Sequence, residues 1–131
     1  MIERPSVRWR NRIAAQEAEV AAGTLAPEKA YAAELWPVAF TAAVDTVLAS
    51  YEQEVADVDQ SSDEAVWAAV ERAVVGLNVA DESFGAIETG EREDLAEYLD
   101  VVLTSAGVDV AALTARAGRD RAELTDAWRD W

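Results

Sequence analysis

Glu93, Glu97 and Asp100 stand at i, i+4 and i+7, a spacing that sets three carboxylates on one face of a helix. Magnesium is commonly held by one or two such carboxylates together with a substrate phosphate, so this trio is the chain's candidate for a metal site. The rest of the sequence narrows the chemistry. None of the 131 residues is cysteine or histidine. Thiolate metal sites, cysteine nucleophiles, Ser-His pairs and the usual general base near neutral pH are excluded, and without Glu-x-x-His so is a bundle-type di-iron site. Catalysis would have to run on carboxylates, arginines, tyrosines or hydroxyls. No residue is assigned a catalytic role and no cofactor is implied, because the six glycines are scattered rather than gathered into a phosphate loop.

The segment Glu97-Tyr98-Leu99-Asp100-Val101-Val102 resembles the Glu-x-x-Asp half-motif of the all-α nucleotide pyrophosphohydrolases. The resemblance covers these few residues and implies, as an alternative function, a magnesium-dependent enzyme of that kind. That family pairs the half-motif with an upstream Glu-Glu-x-x-Glu on another helix. Here Asp63-Glu64 is followed by Val66 and Trp67, and Glu71 stands alone.

Charge is distributed unevenly along the chain. The formal net charge is −15, and residues 30–115 alone hold 18 acids against two bases, Arg72 and Arg92. Residues 1–29 are net +1 and residues 116–131 are neutral. The densest acidic stretch contains Asp81, Glu82, Glu88, Glu91, Glu93 and Asp94, with Arg92 as its one base. Such a run is commonly a solvated helix face. It is also a negative field able to steer a basic protein partner and repel wrong ones. Nucleic acid is disfavoured, since the acidic body would repel phosphate. This holds even though residues 110–128 faintly look like a helix-turn-helix and Arg4, Arg8 and Arg12 form a basic stripe, which is free to pair with the protein's own acidic face.

The elements that must position these residues are helical. Ser6 is expected to cap a helix running to about Ala22, with Gly23 as its terminator. A second helix is expected over Glu28–Leu35, broken by Pro37. Phe40, Val44, Val47, Leu48, Tyr51 and Val55 form one apolar stripe. Ser61 and Glu64 have capping-box spacing ahead of Val66, Trp67, Val70, Ala73, Val74 and Leu77, and Gly76 on that helix marks close packing against a neighbour. A loop over Asp81–Thr89 is expected to anchor through Phe84 and Ile87. Thr89 then caps a helix with the stripe Leu95, Tyr98, Leu99, Val102 and Leu103, closed by Gly107 and Val108 in a Schellman motif. Asp109 caps a short helix to Ala117. A final helix carries Leu124, Trp128 and Trp131, the two indoles docking it onto the bundle or offering a dimer or partner surface.

Together these patterns predict an all-α fold, an irregular bundle of five to six helices in one domain. Its segments are a basic-to-neutral end (1–29), an acidic helical body (30–115) and a neutral tail (116–131). No apolar run is long enough for a membrane span and no signal-peptide pattern opens the chain, so a cytoplasmic protein is expected. Ten arginines against one lysine point to a GC-rich prokaryotic genome. The function expected is a non-enzymatic interaction module for a basic protein partner, with Asp81, Glu82, Glu88, Glu91, Glu93 and Asp94 as the binding residues. The alternatives are the magnesium-dependent enzyme and an acidic coat that adapts the protein to high salt without binding anything.

Overall fold

The computed structural model describes residues 2–131. Six α-helices follow one another, α1 (Pro5–Ala21), α2 (Ala32–Leu35), α3 (Val38–Asp57), α4 (Asp63–Phe84), α5 (Thr89–Ser105) and α6 (Val110–Arg116). Single 3-10 turns lie at Pro27–Lys29 and Arg121–Glu123, and the described residues contain no strand. The all-α bundle predicted by the periodicity is therefore the fold.

Helices α3 and α4 form the central antiparallel hairpin. Phe40 meets Phe84 edge-on at 5.9 Å, Val47 lies against Gly76, and Glu54 pairs with Arg72, so the register runs evenly from one end to the other. The apolar stripes face inward as expected: Phe40, Val44, Leu48, Tyr51 and Val55 from α3 meet Val66, Val70, Ala73, Val74 and Leu77 from α4. Helix α5 closes the core with Leu95, Tyr98, Leu99, Val102 and Leu103. It is tied to α3 where the buried Tyr51 hydroxyl donates to the Leu99 carbonyl at 2.6 Å. Helix α1 attaches mainly through Trp9, which stacks on Trp36 and Phe40. The buried Trp36 indole N–H has no acceptor among the described residues.

Several boundaries differ from the sequence reading. Pro5, not a residue after Ser6, opens α1, because a fixed φ and a missing N–H suit the first helical position. Ser6 is buried inside the helix and its hydroxyl donates to Asp45. The helix expected over Glu28–Leu35 is a 3-10 turn followed by the four-residue α2, since the Ala32 N–H donates to the Gln16 side chain at 2.8 Å. Ser62 rather than Ser61 caps α4, accepting from the Ala65 N–H, while Ser61 bonds back to Asp59.

Helix α4 also runs on through the expected loop to Phe84. It stops at Gly85, whose φ of 61° is the left-handed turn that glycine accepts readily. Asp81 and Glu82 thus sit in a helical last turn. Ile87 is buried as expected, but Phe84 stays 39% exposed. Glu88, not Thr89, is the N-cap of α5, in a reciprocal capping box with Glu91.

The final helix does not form. Past Arg116 the chain makes turns, and Asn78 of α4 holds the last of them: its amide donates to the Trp128 carbonyl at 2.7 Å and accepts from the Asp130 N–H at 2.9 Å. The Schellman closure of α5 is present, with the Val108 N–H donating to the Leu103 carbonyl and the Gly107 N–H to Thr104. So is the Asp109 cap of α6.

Candidate interaction surface

The uneven charge of the sequence becomes a set of clasps in the fold. Arg4, Arg8 and Arg10 from the first helix, with Arg116 and Arg121 from the tail, all reach carboxylates of the acidic body. The N-terminal clasp is the most enclosed. Arg4 donates to Glu52 from Nε and Nη2 at 2.8 and 2.7 Å, and the Tyr98 hydroxyl donates to the same carboxylate at 2.5 Å. Asp45 accepts from Ser6 and Arg10 and lies 3.7 Å from Arg4. Arg4 thereby holds the Glu52 carboxyl below its usual range, while burial and the Glu52 hydrogen bond push the Tyr98 hydroxyl up. Asp45 is lowered too: burial works against it, and the Ser6 and Arg10 bonds outweigh burial. Arg4, Glu52 and Tyr98 border a cleft of about 720 Å³ together with Ile2, Glu3, Val7 and Val102. Apart from the exposed Glu3, its charges are already paired with each other, so its chemistry is that of a latch between α1, α3 and α5.

The predicted partner-binding residues fare unequally. Asp81 accepts from the Ile87 N–H at 3.0 Å and holds the α4–α5 turn. Glu88 and Glu91 cap α5, and Asp94 pairs with Arg8 at 3.2 Å. Four of the six thus have internal work. Glu82 and Glu93 are exposed and have no partner among the described residues.

The predicted metal trio lines a cleft of about 690 Å³ between α5 and the tail, facing Arg92, Arg121 and Arg129. Arg121 clamps Asp100 with two hydrogen bonds, at 2.8 and 2.7 Å, and the Thr104 hydroxyl adds a third at 3.0 Å. That clamp holds the Asp100 carboxyl below its ordinary range. Asp63, which begins the partial upstream motif, is bound in the same two-pronged way by Arg116. Among the described residues, no three acidic side chains are grouped to hold a metal ion.

The two C-terminal tryptophans differ in burial. Trp131 is buried against α4 beneath the Arg129 guanidinium, and Leu124 is buried with it. Trp128 is half-buried against Trp67, over which Arg119 sits. The indoles therefore dock the tail. In the same way, Arg12 lies over Trp36, while Trp9 is core.

Val75 and Val79 are exposed one turn apart along the outer side of the α3–α4 hairpin, a surface that hydrophobic periodicity does not single out. Its signal in the sequence is a shortage of charge. Between Val38 and Ser50 the one charge is Asp45, and between Ala73 and Ala80 there is none.

No protein-family model, no curated protein and no solved structure matches this chain.

Proposed function

We propose that this protein is a non-enzymatic interaction module that binds a basic protein partner. One observation carries the reading: nine of the chain's eleven bases are turned to its own use, and many of its acids are not. Seven of the ten arginines are in intramolecular ion pairs, and Arg12 and Arg119 lie over indole rings. Glu17, Glu19, Glu64, Glu71, Glu82 and Glu93 are exposed without a partner among the described residues. The outward field is therefore negative, and its acids are ready for cations that the protein does not itself supply.

Capture by the immobilised full-length chain from a lysate of its own source, followed by elution in rising potassium chloride, tests this. A basic protein should be retained at about 0.1 M salt and released well below 1 M, where screening removes exposed pairs. Retention of no protein, or of proteins without positive charge whose release ignores salt, would contradict it.

A further inference from the structure

We propose that the contact lies in the groove between α3 and α4, and that its occupant is an amphipathic helix of the basic partner. The proposal rests on the interaction reading above and adds the place and the shape of the ligand.

The groove holds two largely apolar clefts in line, parted by one ion pair and bordered by acids. At its upper end is a cleft of about 580 Å³ over Thr46, Val47, Val75 and Gly76, and at its lower end a second cleft of about 380 Å³ over Val58, Ala65 and Ala68. The two share Glu54 and Arg72, whose ion pair lies between them. Above, the surface continues through Val79, 57% exposed, one turn beyond Val75 on α4. The segment holding α3 is apolar enough to reach a mean hydropathy of 1.3 over 18 residues, although only a third of that window is buried. A 20-residue helix such as α3 is about 30 Å long, ample for several turns of a docked helix. Two apolar clefts in line between parallel ridges take the i, i+3, i+4, i+7 side chains of an amphipathic helix, with the Glu54–Arg72 pair beneath its middle.

Charge selects among the occupants. Glu54, Asp57, Asp59 and Glu71 border the groove against the single base Arg72, already paired to Glu54. A second copy of this chain would bring the same acidic rims face to face, a repulsive arrangement. A helix with lysines or arginines beside its apolar stripe satisfies both floor and rim.

The test uses the isotope-labelled full chain and two synthetic peptides of about 18 residues. One has leucines on one helical face and lysines and arginines elsewhere; the other has the same composition scrambled to remove that face. The amphipathic peptide should shift amides of residues 46–58 and 65–79. Val75→Ser with Val79→Ser, both exposed positions, should weaken it about tenfold. Glu71→Lys with Asp57→Lys should weaken it severalfold, and Glu28→Lys with Glu34→Lys, exposed positions away from both clefts, should leave it within about twofold. Circular dichroism checks that each variant folds.

Shifts confined to α5 and the tail, equal affinity for the scrambled peptide, or indifference to the valine pair would overturn the placement. So would concentration-dependent self-association lost in the valine variant, or sedimentation of the chain with phosphatidylcholine vesicles, each of which assigns the groove to another occupant. If a basic protein is captured as above but holds the valine variant equally well, the placement alone fails. If no basic partner is held, the interaction reading fails with it.

Discussion

Glu52 carries two strong donors, the Arg4 guanidinium and the Tyr98 hydroxyl, and both it and Arg4 are about 30% exposed. Hydrogen bonds to a charged group in such a setting contribute about 1.5–3 kcal/mol each at most, so Glu52→Gln should cost about 1–2 kcal/mol at pH 7 by urea unfolding. The pH dependence follows from the depressed folded pKa. Stability from Glu52 is complete above its unfolded value of about 4.3 and is lost as pH falls through the lower folded value. The gap between wild type and Glu52→Gln should therefore close below about pH 4 and stay constant above about pH 6. At Asp100 the clamp by Arg121 makes a different prediction. Magnesium at about 10 mM should raise the melting temperature no more than potassium chloride of equal ionic strength, in the wild type and in Asp100→Asn alike, because a bound cation would have to displace a bidentate guanidinium. A rise in the wild type that Asp100→Asn abolishes would restore the enzyme alternative.

At the scale of elements, Gly76 shows how closely α3 and α4 approach. A Cβ there would sit 3.0 and 3.1 Å from the two Val47 methyls. Gly→Ala inside a helix otherwise gains about 1 kcal/mol. Gly76→Ala should gain little in the native protein and about 1 kcal/mol more when combined with Val47→Ala, a coupling read from thermal melts of the four variants. The tail is held by side chains. Trp131→Ala should cost about 3 kcal/mol, and Trp128→Ala, at a half-buried ring, clearly less.

These elements also mark how far the sequence could be read. The stripes on α3, α4 and α5 were legible because one buried face per helix leaves a periodic trace, and Gly76 and Gly107 were legible from their positions within it. The missing final helix was not. Leu124, Trp128 and Trp131 have helical spacing, and only the distant Asn78 side chain shows that their backbone is held as turns. Nor was the work of Asp81, Glu88, Glu91 and Asp94 legible as a whole. A run of acids looks alike whether it faces water, an N–H or an arginine from elsewhere in the chain. The exposed valines leave no distinct trace in the sequence, because hydrophobic periodicity assigns apolar residues to a core by default.

For the whole molecule, the segregation of charge along the chain is resolved by folding: arginines from the near-neutral ends close over an acidic body, and the unpaired acids remain outside. The outward field predicts that the melting temperature rises with potassium chloride as self-repulsion is screened. The clasps and an ordinary core predict that the protein is nonetheless folded at about 10 mM salt. Unfolding at low salt would instead make the acidic coat an adaptation to salt.

The clasp itself is tested most directly by exchanging its charges. Arg4→Glu and Glu52→Arg should each lower the stability by about 2 kcal/mol, and the double exchange should recover more than half of the summed loss, because guanidinium and carboxylate again face each other between α1 and α3. Losses that simply add in the double variant would mean that the two ends of the chain are not held to the acidic body by charge.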